Sequence, residues 1–128
     1  MIDKIKGIIE EKTTHDVIIS SGNFSFIIKM SINSLDILPG IGQEVEIFTY
    51  LHVREDLLQL FGFAKKLERE TFELLISISG IGPKLALVIL SGSDTDNLKS
   101  SIVSGDIREL TRIPGVGNKT AKRIIIEL

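Results

Sequence analysis

The sequence predicts two parts: a small closed β-barrel of about five strands over residues 1–63, then an all-α domain over residues 64–128. Three observations carry that reading. Short β-branched and aromatic runs separated by turn residues fill the first half. Apolar residues at helical spacing fill the second. A Gly-apolar-Gly turn occurs twice in the second half, as Gly80-Ile81-Gly82 and Gly115-Val116-Gly117, 35 residues apart.

Taken in order, Ile5, Ile8 and Ile9 begin an extended segment that Gly7 is expected to break. Val17-Ile18-Ile19 and Phe24-Ser25-Phe26-Ile27-Ile28 flank Ser21-Gly22-Asn23, a good hairpin turn. Leu38-Pro39-Gly40-Ile41-Gly42 reads as a loop, and Val45 to Tyr50 as a strand with partial alternation. Leu57, Leu58, Leu60, Phe61 and Phe63 form the last strand. Closing these strands into a barrel removes the edges that a small open sheet would expose. The boundary between the halves is expected near Gly62 to Lys66.

Beyond it, Leu67, Phe72, Leu75 and Ile76 suit one helix face. Pro83 sits where a helix begins, backed by Leu85, Ala86, Ile89 and Leu90. A polar stretch from Ser91 to Asp96 separates this helix from Leu98, Ile102 and Val103. Asp106 and Glu109 have the spacing of a capping box. The last helix runs from about Asn118, with Ala121, Ile124, Ile125 and Leu128 as its apolar residues.

At 128 residues the chain is one ordinary domain or two small ones. Each half alone would bury a modest core, so docking between halves or oligomerisation is expected. There is no cysteine, hence no disulfide framework and no thiolate chemistry. Met1 to Gly7 lack the apolar core of a signal peptide, and the apolar runs are too short to span a bilayer. The expectation is a cytoplasmic protein with no membrane partner. The net charge of −2 hides an uneven distribution. Residues 1–63 carry five basic and nine acidic side chains, whereas residues 83–128 carry seven basic and five acidic. Local potential governs nucleic-acid affinity, so the acidic total does not exclude it.

The doubled turn is the strongest motif. Each copy exposes successive backbone N–H groups and leads into a helix start with donors of its own, which suits phosphate. The glycines allow positive φ and close approach of another backbone. Ile81 and Val116 are placed to plug into the flanking helices. Lys84 and Lys119 follow two residues after the second glycine and can neutralise a phosphate as point charges; Lys122 and Arg123 lie one turn later and can reach a neighbouring one. The candidate backbone-binding residues are therefore Gly80, Gly82, Lys84, Gly115, Gly117, Lys119, Lys122 and Arg123. None of them reads base edges, so little sequence specificity is expected. Walker A is absent, and there is no ATPase signature.

Glu55 and Asp56 fall at or near a hairpin tip. Charge pattern alone favours a solvated turn. A nuclease centre would need a positioned His or a third acid. A further use is repulsion of phosphates near a DNA groove. His15 and His52 are too isolated for a metal site, and no metal or cofactor is expected. Tyr50, Phe24, Phe26 and Phe48 could stack bases on a barrel face, but their place in β-runs makes core packing the expectation.

Four segments resemble the Holliday-junction branch-migration proteins of the RuvA family: Met1 to Gly7; Val53-Arg54-Glu55-Asp56 with Phe61-Gly62-Phe63; Gly80-Ile81-Gly82-Pro83-Lys84-Leu85-Ala86-Leu87; and Pro114-Gly115-Val116-Gly117-Asn118-Lys119-Thr120-Ala121. The resemblance extends in order over the whole chain. It implies an OB-type barrel followed by tandem helix-hairpin-helix motifs, and a homotetramer, single or paired, that holds four-way junction DNA open and square. It implies a DNA-binding subunit without catalysis of its own, acting in recombination, repair and the SOS response to DNA damage. The hairpins would grip duplex arms from the minor-groove side. Glu55 and Asp56 would form an acidic pin that separates strands at the crossover. The implied partners are a hexameric ATPase motor, RuvB, and a junction resolvase, RuvC. Two departures follow from the resemblance. Asn118 stands where such proteins often carry a basic residue, which is expected to weaken the second hairpin. The sequence also stops at Leu128, where the family continues into a third helical domain that contacts the motor, so junction binding without proper motor activation is expected.

Two other functions remain to be weighed. A structure-selective nuclease subunit with helix-hairpin-helix motifs would need a clustered acid set that cannot be assembled here. A single-stranded nucleic-acid-binding OB protein would need a basic, aromatic barrel face, which the acidic first half opposes.

Overall fold

The computed structural model describes residues 2–92 and 95–128. Met1 of the first family-like segment, and Ser93 and Asp94 of the expected polar separator, lie outside the described residues. The chain divides into two compact units, Met1–Arg69 and Glu70–Leu128.

The first unit is a closed barrel of five strands, β1 (Lys4–Lys12), β2 (Asp16–Ser21), β3 (Phe24–Met30), β4 (Glu44–Arg54) and β5 (Leu57–Phe63). The barrel order is β1-β2-β3-β5-β4. Every neighbouring pair is antiparallel except β3 with β5, whose parallel pairing closes the barrel. The interior holds Ile5, Ile9, Val17, Ile19, Ile28, Met30, Leu35 and Ile47, with Phe61 and Phe63 also fully buried.

The structure corrects several expectations here. Gly7 does not break the first strand: β1 runs through it, and its lack of a side chain admits the Ser20 carbonyl, which any Cβ would strike. A bulge lies between Ile9 and Glu11 in the pairing of β1 with β2. The four aromatic residues expected to pack in the core are not fully buried, although Phe26 packs against the core from its edge. Phe24 is 68% exposed and Phe26, Phe48 and Tyr50 are half-buried. The inward positions of β4 are Ile47 and Thr49, so strand alternation turns Phe48 and Tyr50 to the other face. A short helix, α1 (Ile32–Asp36), has no counterpart in the sequence reading; Ser31 caps it by accepting from the Ser34 amide at 3.1 Å.

Helix α2 (Lys66–Ile76) starts within the first unit and continues into the second. Its opening turn is bound to the barrel. The Glu68 carboxylate accepts from the hydroxyls of Ser31 and Ser34, at 3.0 and 2.7 Å. Arg69 donates to the Asp3 carboxylate at 2.9 Å and to the Thr49 carbonyl at 3.3 Å, and lies over the Phe48 ring. These ties join the first turn of α2 to the barrel, and the first compact unit runs through Arg69.

The second unit contains the rest of α2, then α3 (Pro83–Gly92), α4 (Thr95–Ser104), α5 (Ile107–Thr111) and α6 (Asn118–Glu127). Its core includes Phe72, Leu75, Ile89, Leu98, Leu110 and Ile124. Asp106 caps α5 by accepting from the Glu109 amide at 3.1 Å. Leu67 and Val103, expected on buried faces, are exposed. Leu67 precedes the buried stripe of α2, and Val103 sits on the face of α4 opposite Leu98, five residues away.

Candidate nucleic-acid interface

The two Gly-apolar-Gly turns share one backbone hydrogen-bond pattern. In the first, the Ile81 amide donates to the Ile78 carbonyl at 3.1 Å, and the Ala86 amide to the Gly82 carbonyl at 3.0 Å. In the second, the Val116 amide donates to Ile113 at 3.0 Å, and Ala121 to Gly117 at 2.9 Å. The buried residues repeat with the same offset: Leu75, Ile78, Ile81, Ala86 and Ile89 match Leu110, Ile113, Val116, Ala121 and Ile124. Ile81 and Val116 are each only 4% exposed, so the middle residue of each turn is buried, as the plug expected from the sequence would be.

The two glycines of each turn do different jobs. Gly80 and Gly115 have φ of +94° and +88°, a region costly for any residue with a Cβ. Gly82 and Gly117 do not; Gly117 is extended, with φ −89° and ψ 180°. A Cβ at Gly82 or Gly117 would meet nothing within 4 Å. Internal packing therefore does not account for glycine at these second positions. Both open directly onto a helix start, α3 at Pro83 and α6 at Asn118. Each start presents unpaired backbone donors and the positive end of a helix dipole, which attract an anion.

Lys84 and Lys119 lie in the first turns of those helices and are exposed, as is Lys122. Among the described residues, none of the three has an acidic partner within ion-pair distance. Arg123 is placed differently. It is half-buried, and its guanidinium donates to the Ser79 carbonyl at 3.0 Å, so α6 of the second motif reaches the hairpin of the first. Sequence reasoning missed this tie, since nothing in the spacing links residues so far apart.

Glu55 and Asp56 form the whole turn between β4 and β5, whose last paired residues are Arg54 and Leu57. Both acids are exposed, and the strands beside them show exposed Val53, Leu57 and Leu58. Among the described residues no group of three His, Cys, Asp or Glu side chains is placed to hold a metal ion. His52 stacks on Tyr50 and meets the edge of Phe61 rather than facing an acid. No helix of the described residues is long and apolar enough to cross a membrane.

Elsewhere the ionisable groups make surface pairs. Lys4 and Glu46 meet at 2.9 Å; their hydrogen bond holds the lysine above and the carboxyl below their ordinary values. The Asp3 carboxyl is likewise lowered, first by its hydrogen bond from Arg69. These pairs are structural and lie away from both turn motifs in sequence.

Comparison with known proteins covers both units. The RuvA N-terminal domain family matches residues 1–62, and the SAM-like helix-hairpin-helix tandem family matches residues 72–128. A protein of Dehalococcoides mccartyi named Holliday junction branch migration complex subunit RuvA is 46% identical over 128 residues, all of this chain and 66% of that protein. Proteins of the same name from Desulforamulus reducens and Colwellia psychrerythraea are 44% and 41% identical over all of this chain, covering 63% and 61% of their own lengths. The chain thus spans somewhat less than two thirds of the length of these curated relatives.

Proposed function

The chain belongs to the RuvA family, and we propose that it is a non-catalytic, structure-selective binder of four-way DNA junctions, holding them open for branch migration driven by a partner ATPase. The observation that carries this is the duplicated hairpin: two matching turns, each with an open second glycine, a helix start and an unpaired lysine. Phosphate oxygens would accept from the amides at Gly82 and Gly117 and their helix starts, with Lys84, Lys119 and Lys122 supplying charge. Such contacts position a backbone without reading bases.

The Glu55-Asp56 turn supplies the selectivity. Carboxylates set where two duplexes would cross repel phosphates, and so penalise DNA that runs straight through more than DNA already parted there. Selectivity needs several pins around one centre, which is met by a homotetramer, alone or as a facing pair. The mutual repulsion of the pins must then be offset by subunit packing and by DNA or counterions. The motor RuvB and the resolvase RuvC are the proposed further partners. A cytoplasmic location fits a protein that works on chromosomal DNA.

One observation favours a second reading. Phe24 stands 68% exposed beside Phe26 on the barrel surface, as a base-stacking platform would. A single experiment weighs the two. Binding is measured to a synthetic four-way junction, a linear duplex and a single strand of matched length at moderate salt. A strong preference for the junction is expected. Equal binding to all three would refute junction selectivity, and best binding to the single strand would establish the stacking reading instead.

A further inference from the structure

We infer that Arg123 is a positioning residue that braces the first hairpin from the last helix, and is not itself a phosphate contact. The inference rests on the reading that both hairpins grip duplex DNA through its phosphates. Arg123 is on α6, which begins at the second hairpin, yet it donates at 3.0 Å to the carbonyl of Ser79, the residue before Gly80. A second contact runs the opposite way. Leu85, on the helix that follows the first hairpin, packs so closely on the second that a Cβ built at Gly115 would lie 3.0 Å from its Cδ1. Each hairpin is therefore touched by the helix that follows the other.

This matters because the phosphates of a duplex have fixed spacing. Two hairpins grip the same duplex together only if their own spacing is fixed beforehand; otherwise part of the binding energy goes into ordering them. The backbone bonds from Ile81 to Ile78 and from Val116 to Ile113 tie each turn to its own preceding segment, but they do not link one hairpin to the other. The Arg123–Ser79 bond and the Leu85–Gly115 contact do. A guanidinium is well suited to such a brace, being planar, always charged and preorganised in its donor geometry. The local repeat supports the assignment, because the position equivalent to Arg123 in the first motif is Val88, which has no such donor. The brace is thus one-sided, and removing Arg123 should loosen the first hairpin specifically.

The test uses Arg123→Met, which keeps the apolar stem, and Arg123→Lys, which keeps the charge on a shorter reach. Two quantities are read. One is hydrogen exchange at the Ile81 amide in the DNA-free protein, where junction binding plays no part. The other is affinity for linear duplex as a function of salt. The brace predicts at least tenfold faster exchange at Ile81 in Arg123→Met, with unchanged exchange at Val116. It also predicts weaker duplex binding that Arg123→Lys fails to restore fully. A simple phosphate contact predicts unchanged exchange, a salt slope flatter by about 0.9, and full rescue by lysine; that result overturns the brace. Faster exchange with unchanged duplex affinity overturns it as well, since the bond would then stabilise the fold without positioning the hairpins. Failure of junction selectivity in the wild type would leave both readouts standing, and so is distinguishable.

Discussion

The sharpest test of the hairpin chemistry compares glycines within one turn. Replacing Gly117 by alanine should leave the free protein almost untouched. Its φ of −89° suits alanine, and the new Cβ meets nothing within 4 Å. A less flexible unfolded chain stabilises by about 0.4–1 kcal/mol, while alanine is a poorer N-cap than glycine by about 0.5–1 kcal/mol. The two offset, so Tm should move by less than about 3 °C. Gly82→Ala has the same free surroundings. Gly115→Ala is different: φ is +88° and Leu85 must give way, for a loss of about 2 kcal/mol. DNA binding should separate from stability. If phosphate approaches the second glycine, the methyl group removes a charge-assisted hydrogen bond worth about 1.5–3 kcal/mol, or roughly tenfold to a hundredfold in affinity. Thermal denaturation and duplex titration at fixed salt read both quantities. A Gly82→Ala/Gly117→Ala protein that melts like wild type and binds duplex within about threefold of it would refute the close approach of a phosphate backbone.

Three other perturbations have definite signs. Lys84→Met and Lys119→Met should each flatten the dependence of log affinity on log salt by about 0.9, without lowering Tm, because both side chains are exposed; an unchanged slope would remove that lysine from the interface. Asn118→Lys should steepen the slope by a similar ~0.9 and tighten duplex binding, at a small cost in α6 stability from a cation at the helix start. Asp3→Asn concerns pH. The Asp3 carboxyl is held below its ordinary value of 3.8 by Arg69, so its contribution is complete above that value and is lost as pH falls through the lower folded one. The variant should be less stable than wild type at neutral pH, and the two should converge below pH 3.8 in acid denaturation; a constant difference would show that the pair does not titrate.

The barrel was legible because strands announce themselves by composition and by the turns between them: Gly22 and Asn23 bound one hairpin, Glu55 and Asp56 the other. What sequence could not show was which face a residue takes. Phe24, Phe26, Phe48 and Tyr50 carry strong β-preference, but preference is blind to the side of the sheet, and the barrel interior is filled by aliphatic side chains with Phe61 and Phe63. Gly7 misled for a related reason. A glycine reads locally as a breaker, but its purpose is a close passage of β2, which only the folded pairing reveals. Helix α1 had a readable signal in Ser31, three residues before Ser34, yet at five residues it was too short for periodicity to register. The hairpins were readable because their chemistry is local, whereas the Arg123 and Arg69 ties are long-range hydrogen bonds to backbone carbonyls that any sequence can supply.

The acidic turn makes a prediction that distinguishes repulsion from shape. Neutralising it with Glu55→Gln and Asp56→Asn changes little volume, so a wedge acting by bulk would keep its preference for junctions. A wedge acting by charge would lose part of it, because linear duplex, previously repelled, would bind better. The gain should depend on salt in a particular way. Exposed charges act over a Debye length of about 10 Å at 0.1 M and about 3 Å at 1 M. Both carboxylates are exposed at a turn tip, so their repulsion is strongly screened. The ratio of variant to wild-type duplex affinity should therefore be largest at low salt and approach one as salt rises. The lysine contacts, unchanged in both proteins, cancel from that ratio. A ratio that stays above one at high salt would mean that the substitutions act by altering the hairpin or its packing, and a ratio of one at every salt would mean that the acids never face phosphate. Only convergence from above assigns selectivity to charge, with bases holding the arms and acids excluding an uninterrupted duplex.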